Sequence, residues 1–190
     1  MTMSRMLPVV AACIAAWLAS GSPTARADDL PDAQQLFRQG QQAQALERVN
    51  TYLNSKPKDA SARFLKGLIL TEQNQYADAT RVFQSLTEDY PELPEPYNNL
   101  AVLYAAQGQY DQARMSLEMA IRNHPGYATA HENLGDIYAR MASQAYDKAL
   151  QLDKTNASAR TKLSLMQEMF SKTGMHGNDP AVTPKAAPVQ

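Results

Sequence analysis

A chain of 190 residues with a formal charge of −1 and one cysteine has room for one domain or a short repeat array. The near-neutral balance, with no basic block, excludes the clustered Lys/Arg footprint of a nucleic-acid protein. Its hydrophobic content of 44% is largely alanine and leucine. Valine and isoleucine are sparse beyond the first fourteen positions, and that composition is all-helical.

The N-terminus reads as a leader. Arg5 supplies a positive charge, Leu7–Ala19 is an apolar run of thirteen residues, and Ala25-Arg26-Ala27 is the small-x-small pattern of a signal-peptidase site. Such a run reaches about 20 Å as a helix, short of the roughly 30 Å hydrocarbon core of a bilayer. A cleaved signal peptide over residues 1–27 is expected, with the mature chain starting at Asp28 in the periplasm. The alternative is a lipoprotein acylated at Cys13, since Val10-Ala11-Ala12-Cys13 has the form of a lipobox. That cysteine sits in the middle of the apolar run, which disfavours it. Cleavage after Ala27 removes Cys13 and Trp17 and leaves a mature chain with neither residue type and no integral membrane span.

Beyond the leader, the sequence repeats itself every 34 residues. Pro57, Pro91 and Pro125 share this period, as do Tyr76 and Tyr110, Ala45, Ala79 and Ala113, and Val49, Phe83 and Leu117. Gly67, Ala101 and Gly135 form another column, and Gly40, Asn74 and Gly108 another. The apolar pattern predicts helices over 31–39, 42–55, 59–73, 76–89, 95–107 and 110–123, in pairs, with each proline ending a pair. The small residues at 67, 101 and 135 are expected to let the two helices of a pair approach closely.

The fourth unit departs from this pattern. Ala128–Tyr138 fits when read from its start and Tyr146–Asp153 when read from its end, but the two readings are five residues out of step. Nothing in Ala139–Gln151 breaks a helix, and residues 134, 138, 141, 145, 149 and 152 form an apolar stripe at helical period. One continuous helix over 128–153 is expected, with a bend near Ser143 as the alternative. A closing helix over 157–171 should cover the last open face, and the proline-rich tail 172–190 is expected to be disordered.

Catalytic chemistry finds little support. His124, His131 and His176 are the histidines, and no second ligand stands at metal spacing from His131. No phosphate loop, nucleophile elbow or Cys-x-x-Cys pair occurs. No enzyme activity, metal or cofactor is expected.

Tyr97–Pro125 (YNNLAVLYAAQGQYDQARMSLEMAIRNHP) carries the column residues in order, and the region from about Pro31 to Phe170 resembles the tetratricopeptide repeat family, in its short exported bacterial form. The resemblance implies an all-α superhelix of about four helix pairs, the last irregular, with a C-terminal capping helix. It also implies a non-catalytic interaction module of the cell envelope, an adaptor, scaffold or assembly factor. In that family the first helix of each pair lines a concave groove. This places Leu65, Leu68, Glu95, Asn98, Asn99, Val102, Glu132, Asn133, Asp136 and Arg140 in a peptide-binding groove. Asn99 and Asn133, 34 apart, resemble two rungs of the asparagine ladder of O-linked N-acetylglucosamine transferases, whose amides hold a peptide main chain. Glu95, Glu132 and Asp136 favour a basic or amide-rich protein partner. The alternative is self-association through residues 134–170.

Overall fold

The computed structural model describes residues 29–172. The leader, its Cys13 and the tail beyond Lys172 lie outside the described residues. Eight helices follow in order: α1 (Asp29–Arg38), α2 (Gln42–Ser55), α3 (Ala60–Glu72), α4 (Tyr76–Asp89), α5 (Pro94–Ala106), α6 (Tyr110–Asn123), α7 (Ala128–Leu152) and α8 (Ala157–Lys172). No strand occurs among the described residues, and each boundary lies within two residues of its sequence expectation.

The 34-residue period is written into the backbone. Gly40, Asn74 and Gly108 take positive φ angles of 74°, 58° and 72° and turn each first helix into its second. At each turn the same bond closes the loop: Gln41, Gln75 and Gln109 donate their amides to Leu36, Leu70 and Tyr104 carbonyls, all at 2.9 Å. Glycine and asparagine tolerate this left-handed conformation, which costs other residues about 1–2 kcal/mol. The fourth unit has Ala142 at that position and no turn forms. Helices α5 and α6 contain 13 and 14 residues besides their turn, whereas α7 covers the equivalent stretch in 25 residues. The missing five residues take the turn with them, so the two helices fuse into one rod of about 38 Å at about 1.5 Å per residue.

Register recovers after the deletion. Lys56, Tyr90, His124 and Asp153 each end a helix with φ between −131° and −139°, and each donates its amide four residues back. Ala60-Ser61-Ala62-Arg63 and Ala157-Ser158-Ala159-Arg160 then open α3 and α8 with the same four residues. Their caps match as well: Asp59 and Asn156 side chains accept from the amides of Ala62 and Ala159, both at 2.9 Å. Helix α8 is therefore the first helix of a further unit, with a different face. Thr161, Ser164 and Gln167 stand where α3 has Phe64, Gly67 and Leu70, so the face that would receive another helix is polar.

The core is densest between α2 and α6. Phe83 has no accessible surface and stands edge-to-face with Phe64, their ring centroids 5.6 Å apart. Leu86 and Leu103 complete that cluster. Full burial of such side chains stabilises by about 1.5–3 kcal/mol each. Gly67 lies directly under the Phe83 ring, where a Cβ would meet ring carbons at 2.6 Å. The expectation that Gly135 has the same role is corrected: a Cβ there would have nothing within 4 Å, because no second helix folds back onto α7. For the same reason the apolar stripe of α7 does not bury as a unit. Leu134 and Met141 pack against the α5–α6 cluster, whereas Tyr138 and Leu152 stay 49% and 78% exposed.

Candidate functional site

The ten residues assigned to a groove from sequence separate into three groups. Leu65, Leu68 and Val102 are buried, the first two within core clusters. Asn98 on α5 and Asn133 on α7 meet across the two helices, and Glu95 and Asn99 lie one turn apart on α5. Glu132, Asp136 and Arg140 continue along α7, one turn apart.

The asparagines are engaged with the protein itself. Asn99 donates its Nδ2 to the Glu95 carbonyl of its own helix at 2.9 Å. Asn133 reaches across to α5 and donates its Nδ2 to Asn98 Oδ1 at 2.8 Å. Asn98 is 1% exposed, so this bond supplies a donor to a buried amide and ties the two first helices together. Asn99 Oδ1 is a buried acceptor without a donor. Sequence reasoning read Asn99 and Asn133, 34 apart, as two rungs facing a peptide. The observed partner of Asn133 is Asn98, 35 positions earlier.

Sequence reasoning missed Tyr127. It occupies the position before α7 where Asp59 and Asn156 cap α3 and α8, yet it offers no side-chain cap. Its ring packs against the α5–α6–α7 cluster and its hydroxyl is buried without a partner. Burial first, and then the charge of Glu95, pushes that hydroxyl up to about 12. The available signal was the 34-residue column itself, in which a tyrosine replaces Asp59.

Asp136 feels the same surroundings. Burial and the neighbouring Glu132 carboxylate raise it above the ordinary carboxylate range, and Arg140 offsets part of the effect. The Arg140 guanidinium lies 4.2 Å from the centre of the Phe170 ring on α8. It also lines a cleft of 350 Å³ with Tyr110, Gln144, Asp147 and Gln167. The face running from Glu95 to Asp136 is consequently acidic, with its cation drawn toward the far end.

His124 and His131, the two histidines among the described residues, both have neighbours, and His176 lies outside them. A ring nitrogen of His131 lies 2.9 Å from the Pro125 carbonyl, and His124 stands edge-on to Tyr127. No group of three or more metal-ligating side chains occurs among the described residues. What the α5–α7 face offers is hydrogen bonding and negative potential.

Two tetratricopeptide repeat family models match the chain, over residues 30–94 and 70–134. A relative from Arabidopsis thaliana, the chloroplastic tetratricopeptide repeat domain-containing protein PYG7, is 31% identical over 121 residues, covering 58% of this chain and 40% of its own. The photosystem I assembly protein Ycf3 of Prochlorococcus marinus is 24% identical over 96 residues, covering 49% of this chain and 56% of its own. This chain thus spans about two fifths to just over half of the length of these two relatives. A thermophilic tetratricopeptide repeat protein from Thermus thermophilus shares the fold with a TM-score of 0.57 at 23% identity, over 77% of this chain and 82% of that one. Arrays of this kind are protein-interaction modules. The 34-residue period, the three left-handed turns on it and the two overlapping models spanning residues 30–134 together make this chain a member of the tetratricopeptide repeat family.

Proposed function

We propose that the chain is a non-catalytic adaptor or assembly factor, exported to the periplasm by its leader, that holds a basic or amide-rich segment of a partner protein along α5 and α7. The observation that carries this reading is the run of carboxylates from Glu95 through Glu132 to Asp136, whose charge adds to burial in raising Tyr127 and Asp136. Lysine, arginine or amide N–H groups of a partner would be attracted by these carboxylates, and an N–H reaching Asn99 Oδ1 would satisfy a buried acceptor. The name of the cyanobacterial relative, an assembly protein, agrees with a role of this kind. A photo-reactive amino acid placed at Glu95 or at Glu132 should capture the same periplasmic protein in cells, and one placed at the exposed Arg122 of α6 should not. Equal capture at all three positions would remove the acidic face from the argument.

A second reading, self-association through residues 134–170, is favoured by the uncovered Gly135 and the exposed Tyr138, Leu152 and Leu165. Gly135 is the position a folded-back helix would cover in a complete unit, as Phe83 covers Gly67, and a turn deletion is a common route to exchange between copies. Sedimentation velocity decides it: a monomer at every concentration rejects this reading.

A further inference from the structure

The chain builds the space between successive second helices twice from equivalent residues, and the two outcomes differ. Between α4 and α6 the space is filled. Leu100 is buried there, and Tyr104 lies against α4 with its hydroxyl accepting from Gln84 Nε2 at 3.0 Å. One repeat earlier, between α2 and α4, a cleft of 480 Å³ remains, lined by Leu46, Asn50, Lys66, Leu70, Arg81 and Val82 among others.

The 34-residue columns explain the difference. Leu70 stands where Tyr104 stands, Lys66 where Leu100 stands, and Asn50 where Gln84 stands. The open cleft is therefore the space left by an absent tyrosine ring. Asn50 is the amide that would have met its hydroxyl, and it makes no side-chain hydrogen bond among the described residues. Its apolar walls are Leu46, Leu70 and Val82. Charge completes the description. Arg81 is paired with Asp78, and Arg63 nearby is held by Asp89 and Ser85 at 2.6 and 2.7 Å. Asp78 and Ser85 also line the cleft, and because Asp78 is taken by Arg81 while Lys66 has no carboxylate partner among the described residues, the cleft carries one uncompensated positive charge beside its apolar walls.

We propose that this cleft is a second protein-docking site, filled by an aromatic side chain of a partner segment whose adjacent carboxylate pairs with Lys66. The ring supplies what Tyr104 supplies in the next space, with a tyrosine hydroxyl reaching the Asn50 amide as Tyr104 reaches Gln84. The acidic neighbour supplies the missing counter-charge. This site prefers the opposite charge to the α5–α7 face and does not depend on it.

The test uses the full mature chain, labelled with ¹⁵N, and the blocked hexapeptide Ala-Ala-Tyr-Glu-Ala-Ala as probe. Amide shifts should change at Asn50, Lys66, Leu70 and Val82, with the Tyr-Glu peptide binding about fivefold tighter than its Tyr-Gln counterpart, the scale of one exposed ion pair. Leu70→Tyr closes the cleft as Tyr104 closes the next one and should weaken binding at least about tenfold. Lys66→Leu restores the residue of the column and should erase the difference between the two peptides. Helical circular dichroism reports whether each variant folds. Should Leu70→Tyr fail to fold, the peptide comparison in the parent chain and in Lys66→Leu decides alone. No localised shift at millimolar peptide, shifts confined to α5 and α7, or equal binding of the two peptides to the parent chain overturns the proposal.

Discussion

Gly67 and Gly135 occupy the same column two repeats apart, and alanine at the two positions should act with opposite sign. At Gly67 a new Cβ meets three Phe83 ring carbons at 2.6, 2.6 and 3.0 Å. Phe83 has no accessible surface to move into and is already set against Phe64. Overpacking of this kind costs about 1–3 kcal/mol, and three contacts at or below the closest normal approach place it at about 2–3. Alanine over glycine in a helix returns about 1 kcal/mol, which leaves a net loss of about 1–2. At Gly135 nothing lies within 4 Å, so only the helical gain of about 1 kcal/mol remains. In a domain of this size each kcal/mol moves the melting temperature by about 2–4 °C. Thermal unfolding of Gly67→Ala and Gly135→Ala, followed by circular dichroism at low micromolar concentration, should give a lower midpoint for the first and a higher one for the second. A fall in both would show a helix packed on Gly135, and the continuous α7 would be wrong.

Spin labels at His131 and Ala149, in a chain whose Cys13 has been replaced, should lie about 27 Å apart along a straight α7. A distance near that between two packed helices, about 10 Å, would restore the bend near Ser143. Asp136→Asn should leave stability unchanged in acid and raise it at neutrality. Below the ordinary carboxylate value both states hold the proton. As the pH climbs through the raised value of the folded chain, ionisation favours unfolding, and the cost is complete above it. Urea midpoints of the two chains against pH check this, and a difference independent of pH would refute it. Tyr127→Phe removes a buried hydroxyl that has no partner and should stabilise by about 1 kcal/mol, read as a higher urea midpoint. A loss of comparable size would mean that the hydroxyl is bonded after all. The protein should be recovered in the periplasmic fraction with Asp28 as its first residue by N-terminal sequencing; its absence from that fraction would reject the export reading, and an intact Met1 would reject cleavage of the leader.

How far the fold could be read from sequence depended on whether the cause was local. The turns at Gly40, Asn74 and Gly108 follow from the conformational freedom of single residues, and the column announced them. The fused α7 was legible for the same reason, since a five-residue deletion and the lack of a breaker are both facts of the chain. The fate of Gly135 was not, because a column marks a position where a helix can approach and does not say whether one arrives. The bonds of the asparagines were not legible either: which amide Asn133 meets depends on how α7 lies against α5, and it meets Asn98 while Asn99 bonds to its own helix.

The same distinction locates the parts of the chain free to specify a partner. Where a column residue is required by packing, as Ala79, Ala113, Phe83 and Leu117 are, it is buried in each complete helix pair and carries no information beyond the fold. Where units disagree, the packing reason has lapsed and another must be sought. Lysine at 66 against leucine at 100 spends a core position on a charge, and leucine at 70 against tyrosine at 104 leaves a cavity that the next unit fills. Tyr127 in place of Asp59 gives up a helix cap for a hydroxyl without a partner. Each exchange costs stability on its own terms, through a lost apolar contact, an unfilled space or an unmet hydrogen bond. The Lys66–Leu70 pair adds both a charge and a space at one place between α2 and α4, and Tyr127 lies beside the acidic residues of the α5–α7 face. Losses concentrated at two surfaces of opposite charge preference are what an array that holds two different segments would show.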